Sequence, residues 1–366
     1  MGIINHNLSL GNRERMLRTC LNQDIDRQPF WFMFPPWDET IERWRSEGYE
    51  GADWRAYFGF DTGFEILPVN LGFYPKFERK IICEDEEKRT VRDEFGVTFT
   101  EFKGHSTIPM YTNYPVSSAD DWEKLKAERL DPNAPERFPA DWHSIIKGMQ
   151  ERDAAIQIGV FPYGLFGTAR DLMGVENLLV GFYDEPELIQ DIMNYLTDFW
   201  ISIYKNVLKD VHIDHIHIWE DMSGKNGPLI SPAMFRKFMM PNYLKIVDFA
   251  KQNDISIVSV DTDGNMDVMM PLLAESGINL VLPFEVQAGC DIVEISKQFP
   301  DICLHGGIDK RKLVLSHADI DEELDRISEM FKVSTYIPAL DHLPHPEISF
   351  SNFCYFIKRL KEIISL

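Results

Sequence analysis

Four short apolar runs between residues 255 and 345 each end in a side chain that could carry a proton or bind a cation. The run through Val258-Ser259-Val260 delivers Asp261-Thr262-Asp263, and Leu280-Val281-Leu282-Pro283 delivers Glu285. Ile302-Cys303-Leu304 delivers His305 ahead of Gly306-Gly307, and Tyr336-Ile337-Pro338 leads to Asp341, His342 and His345. An earlier run over residues 213–219 stops at Glu220-Asp221. Carboxylates grouped with imidazoles have two chemical uses. They can hold a divalent metal such as zinc, or their crowding can raise one carboxyl pKa and leave a proton donor for acid catalysis. No tight ligand spacing such as His-Glu-x-x-His is present, so both uses stay open. Acids after strands are commonly turn residues or helix caps, but four in succession favour a site.

Such a site needs elements that gather the strand ends, and a parallel barrel does this at one mouth. The chain reads as strand then helix eight times, with strands expected at 30–34, 64–68, 155–161, 213–219, 255–260, 278–283, 301–304 and 334–338. Ser231-Pro232 is an N-cap followed by proline at the first helical position. Apolar stripes at three- and four-residue steps mark the helix after Pro186 and the closing helix through Phe353, Phe356, Ile357 and Leu360. Residues 75–104 alternate polar and apolar around charged turns, which is hairpin patterning. The prolines and charges of 113–150 suggest an irregular connection plus a surface helix. The expected fold is α/β: a single (β/α)8 TIM barrel domain over 1–366, with an N-terminal helix over 11–22, begun at Asn12, and an insertion over about 75–150 carrying a β-hairpin between strands 2 and 3.

Alternation along Ile216-His217-Ile218-Trp219-Glu220-Asp221 puts Glu220 on the parity of the isoleucines, expected to face inward. Asp221 is then the better cap, and His215 and His217 face helices. His6, His105, His143, His212 and His317 are treated as surface residues.

A net charge of −22 argues against nucleic acid or an anionic membrane as partner. Five widely spaced cysteines without a Cys-x-x-Cys suit a reducing compartment. Neither a secretory signal nor a run of about 18 apolar residues is visible, so a soluble cytoplasmic protein is expected.

Glu220-Asp221-Met222, Gly227-Pro228-Leu229-Ile230-Ser231-Pro232, Asp263-Gly264-Asn265, Pro283-Phe284-Glu285, Gly289-x-Asp291 and Gly306-Gly307-Ile308-Asp309-Lys310 resemble, as a set, the uroporphyrinogen decarboxylase superfamily. The resemblance covers nearly the whole chain and is strongest from about residue 155. It implies a (β/α)8 barrel and one of two chemistries: porphyrinogen decarboxylation, or methyl transfer linked to cobalamin with zinc activation. Decarboxylases carry an arginine-rich segment after the first strand, whereas residues 30–37 here read Phe-Trp-Phe-Met-Phe-Pro-Pro-Trp. A polycarboxylate would lack its clamps. The His-x-Cys pair of thiol-activating methyltransferases is replaced by Asp261-x-Asp263.

The resemblance therefore implies a metal-dependent methyltransferase or demethylase. It would move a methyl group from a small donor, methoxylated aromatics among the candidates, to a corrinoid carried by a partner protein. Glu285, His305 and Asp263 are the expected metal ligands. His342, Glu220 and, in the decarboxylase alternative, Asp61 are the expected catalytic residues. Trp31, Phe34, Trp37 and Tyr163 are expected to contact the substrate. A non-catalytic binder on the same barrel is the third reading, and a homodimer is compatible with all three.

Overall fold

Seven of the expected strands form one parallel sheet in chain order. The computed structural model describes residues 2–103 and 109–366, so His105 lies outside the described residues. The strands are β1 (Phe64–Ile66), β2 (Ala155–Ile158), β3 (His215–Trp219), β4 (Ile257–Asp261), β5 (Leu280–Leu282), β6 (Cys303–Ile308) and β7 (Tyr336–Leu340). Their two faces bury different clusters, as expected of parallel strands covered on both sides. Ile216, Ile218, Val258, Val260, Val281 and Leu304 pack outward with the helices. Phe64, Ala155, Ile257, Leu280, Cys303 and Ile337 pack together inside the curl.

The expected first strand makes no ladder. Between Pro29 and Pro35 residues 30–32 join no ladder and Met33-Phe34 bend, and side chains take the place of a neighbouring strand. Asp61 accepts from the Phe30 amide at 2.8 Å, its own amide donates to the Phe30 carbonyl at 2.9 Å, and Arg55 donates to the carbonyls of Phe32 and Met33 at 2.8 and 3.2 Å. The segment nevertheless sends Trp31 into the interior cluster, edge-on to Phe64 with ring centres 5.3 Å apart. The helix Asn12–Cys20 adds Met16 and Cys20 to the same cluster. Its cap position is Gly11 rather than Asn12, because the distant Asp153 carboxylate accepts from the amides of Asn12 and Arg13.

Where a hairpin was expected between β1 and β2, the chain builds a four-stranded antiparallel sheet from Lys80–Glu84, Lys88–Arg92, Thr98–Phe102 and Met110–Asn113. Helices Ala119–Arg129 and Trp142–Gln150 follow it. The long helix Pro186–Val207 buries Leu188, Ile192, Leu196, Phe199, Ile203 and Val207, the stripe read from sequence. No described helix is long and apolar enough to cross a membrane.

Asp61 belongs to the amino-terminal end of the barrel, three residues before β1, and not to the mouth. Both terminal nitrogens of Arg27 donate to its carboxylate, at 2.9 and 2.7 Å, with Arg15 3.7 Å away. This ion pair is almost fully buried and replaces the catalytic role expected for Asp61 with a structural one. Asp61→Ala leaves Arg27 and the Phe30 amide without their partner, so urea denaturation should show a loss of about 3–5 kcal/mol. A loss below about 1 kcal/mol would mean the pair contributes as little as a surface one.

Candidate active site at the carboxyl ends of the strands

The register fixes which side chains meet inside the curl. Asp261 pairs with Trp219 on one side and Leu282 on the other, and Ser259 pairs with His217. Alternation then turns His215, His217, Ser259 and Asp261 to the interior, opposite to the parity expected from Ile216 and Ile218. Four polar groups line up there. The Ser259 hydroxyl lies 2.6 Å from His215 Nε2 and 2.8 Å from His217 Nδ1, and His217 Nε2 lies 3.8 Å from Asp261 Oδ2. The chain runs from the barrel base, where His215 packs on Phe64 at 4.2 Å between rings, to the mouth.

Burial sets the charge states along it. It pushes His217 down to about 3 and His215 well below the ordinary imidazole value, the latter helped by His217. It pushes Asp261 well above the carboxylate range, reinforced by Asp263 and Asp221. With the carboxyl raised and the imidazole lowered, the pair holds its proton on Asp261.

His305 is also inside the barrel, not beyond it. Its strand was expected to stop at Leu304, but β6 continues through Gly306 and Gly307 to Ile308, paired with β7. Gly306 permits this at φ +109°, where a Cβ would stand 2.0 Å from the Pro283 carbonyl. The His305 ring therefore tilts against Trp31, ring centres 5.3 Å apart, and neither ring nitrogen finds a hydrogen-bond partner among the described residues. Burial pushes it down to about 3, with His217 adding to the fall.

At the mouth proper, His342 stacks on Phe34 at 5.0 Å and points Nε2 at Asp263 Oδ2, 3.5 Å away. Glu285 accepts from the Gly264 amide at 3.0 Å. Asp341 is buried and accepts from the amides of Val286 and Lys310, tying two mouth loops to β7, and burial raises it to about 6. The expected ligands are thus dispersed: Asp263 faces His342, Glu285 holds a loop, and His305 sits a layer below. Among the described residues no group of three or more His, Cys, Asp or Glu side chains is arranged to hold a metal ion. The described residues do not form the zinc site expected.

Glu220 is at the exit of β3 but faces the helices. It is fully buried and accepts from Tyr243 Oη at 2.5 Å and from the amides of Leu165, Phe166 and Gly167 at 3.0, 2.6 and 3.2 Å. Those amides open the helix Leu165–Met173, so Glu220 fixes that helix to the barrel. Burial raises it to about 7 against the pull of these four hydrogen bonds. Asp221, expected as a cap, instead pairs with Arg170 at 2.5 Å.

Of the expected substrate contacts, only Phe34 stands with a mouth residue. Trp31 is interior, and Trp37 is the cap of the helix Asp38–Ser46 and is 47% exposed. Tyr163 lines a small apolar cavity of about 30 Å3 with Leu71, Phe73 and Leu172. The larger opening went unread in the sequence. A cleft of about 500 Å3 lies between the antiparallel sheet and the ends of β2 and β3, bounded by Phe95, Tyr111, Phe161, Arg170, Asp171 and Trp219 among others.

A family model for uroporphyrinogen decarboxylase (URO-D) matches residues 89–363. The chain belongs to the uroporphyrinogen decarboxylase family. Among solved structures, a methyltransferase from Methanosarcina mazei superposes on this family member with a TM-score of 0.60. The superposition covers 97% of this chain and 99% of the other at 17% identity, a likeness of fold. No curated protein sequence matches the chain.

The buried imidazoles have a measurable signature. Their folded-state values lie below the unfolded value of about 6.5, so their contribution to stability is complete above about 6.5 and is lost as pH falls toward about 3. Ring nitrogen NMR shifts of His217 and His305 should therefore remain those of neutral imidazole down to about pH 4. Titration of either ring near 6.5 would contradict the interior placement.

Proposed function

We propose that this URO-D family protein is a methyltransferase that removes a methyl group from a small donor, with a corrinoid on a partner protein as acceptor. The observation that carries the reading is the charge of the cleft beside the mouth. Among the described residues lining it, Arg170 is the one guanidinium and is already held by Asp221, and residues 30–37 supply no arginine. A porphyrinogen with several carboxylates would meet Asp93, Asp171 and Asp221 there without the cations to bind them. The fold shared with the Methanosarcina mazei methyltransferase is consistent with this choice.

The chemistry a corrinoid supplies when bound is nucleophilic capture of the methyl group. What remains for this chain is to hold the donor, exclude water and deliver a proton to the heteroatom left behind. Asp261 is the group placed to store that proton, because burial and two neighbouring carboxylates keep its carboxyl neutral. His342, stacked on Phe34 with Nε2 3.5 Å from Asp263, is the second candidate for handling that proton.

The test is methyl transfer to supplied cob(I)alamin from a panel of methoxylated aromatic and N-methylated donors. Transfer from at least one donor is expected, with negligible decarboxylation of uroporphyrinogen. Asp261→Asn and His342→Ala should each lower transfer by about 10²-fold or more. Efficient decarboxylation without methyl transfer would move the protein to the decarboxylase reading. Zinc stands as a separate proposal, read from metal content after purification without added metal. A stoichiometric ion lost in His305→Ala would establish the ligand set expected from sequence, and its absence from the wild type after dialysis against zinc would remove it.

A further inference from the structure

The cleft under the antiparallel sheet combines two features that differ in what they would recognise. Its walls are aromatic: Phe95 and Tyr111 from the sheet, Tyr114 just after it, and Phe161 and Trp219 from the ends of β2 and β3. Its charge is acidic, with the carboxylates of Asp93, Asp171 and Asp221 set against the one guanidinium of Arg170. The volume of about 500 Å3 is that of a small-molecule site.

Much of this apolar surface is open to water. Phe161 is 64% exposed and Tyr111 51%, and Phe161 stands edge-on to Trp219 with centres 4.6 Å apart. Trp219 already has a cation near its face, the Arg170 guanidinium carbon lying 4.9 Å from the ring centre. Arg170 does not neutralise the cleft. It donates to Asp221 at 2.5 Å, leaving Asp171 at 3.8 Å, and Asp93 uses one oxygen on the amides of Phe95 and Val97. A planar anion would be repelled by the three acids, and a neutral aromatic would leave them uncompensated. A compact organic cation satisfies both features at once, stacking on ring faces while its charge balances the carboxylates.

We propose that this cleft binds a methylated ammonium compound, its cationic methyl groups facing Trp219 and Phe161 and its charge balanced by Asp171. This rests on the methyl-transfer reading and names its donor class, since the cleft opens beside Trp219, the register partner of Asp261. Binding also acquires a pH dependence. Burial, Asp93 and Asp221 raise Asp171 to about 6 against the pull of Arg170, and Tyr111, Tyr114 and Tyr163 are the other titratable side chains lining the space around it among the described residues. The cation prefers the ionised carboxylate, so affinity should increase as pH rises through about 6.

The probe is choline, titrated into the full chain by calorimetry beside its neutral carbon isostere, in which a tert-butyl group replaces trimethylammonium. A methoxybenzoate serves as the planar anion. Choline should bind about tenfold or more tighter than the isostere. Trp219→Ala and Asp171→Asn should each weaken choline by a comparable factor, and Asp171→Asn should flatten the pH dependence. Thermal melts establish that both variants are folded, and Phe161→Ala, an exposed position, replaces Trp219→Ala if that variant unfolds. Equal binding of choline and isostere, tighter binding of the benzoate, or no binding of choline overturns the proposal. None of these outcomes bears on methyl transfer to cob(I)alamin, which is measured separately, so the two readings fail independently.

Discussion

A curled parallel sheet of seven strands needs something between its first and last members, and here the gap is filled by a segment that makes no ladder with either. Residues 30–34 obtain their hydrogen bonds from Asp61 and Arg55, and their fixed place lets Trp31 complete the interior. An unsatisfied backbone there would cost roughly 1–3 kcal/mol for each buried group. The dependence runs upward from this point. Trp31 packs against His305, burial in this interior together with Asp263 and Asp221 keeps Asp261 neutral, and Asp261 lies directly under the mouth.

An interior containing His215, His217, Ser259 and His305 is unusual for a barrel core, which branched aliphatic side chains normally fill. Aliphatic side chains stand beside the polar ones in register, Ile257 next to His215, Leu280 next to Ser259 and Ile337 next to His305. The polar residues are concentrated on β3, β4 and β6, and the first two strands satisfy each other through one serine hydroxyl. Because that hydroxyl lies between two imidazoles, it can donate to only one at a time, so the tautomers of His215 and His217 are coupled. A change of protonation at Asp261 can then reach the barrel base without any movement of the backbone.

Most strands and helices were legible because length and period identify them. The stripe of Pro186–Val207, the Ser231-Pro232 helix start and the last six strands all occur where the pattern put them. The direction in which β3 faces was not legible. Both faces of an interior parallel strand are buried, so the isoleucines of Ile216 and Ile218 carried no information about which side is the barrel interior. For that reason Glu220 reads from sequence as a mouth residue, although it anchors a helix. The useful signal was the match of His215-x-His217 to Ser259-x-Asp261, polar residues of one parity on neighbouring strands. His305 was misplaced because Gly306-Gly307 reads as a strand breaker, whereas its positive φ values lie within a paired strand. The cleft could not be seen at all, since Asp93, Tyr111, Asp171 and Trp219 come from four separate stretches of chain.

The acidic balance of the chain acquires a local meaning at this site. A charge of −22 spread evenly would only repel anions in general. At the cleft the acids are instead placed beside aromatic faces, while the nearest guanidinium is held in an ion pair. The same acids bear on chemistry as well as on binding, because Asp221 and Asp263 help to keep Asp261 protonated. Arrival of a cation beside Asp221 would weaken that repulsion and lower the Asp261 pKa. Demethylation leaves a neutral amine whose lone pair can take that proton, so the product stays cationic beside the same carboxylates. Substrate charge and the stored proton are therefore linked through one set of carboxylates, and the linkage favours release of the proton while the cation is bound.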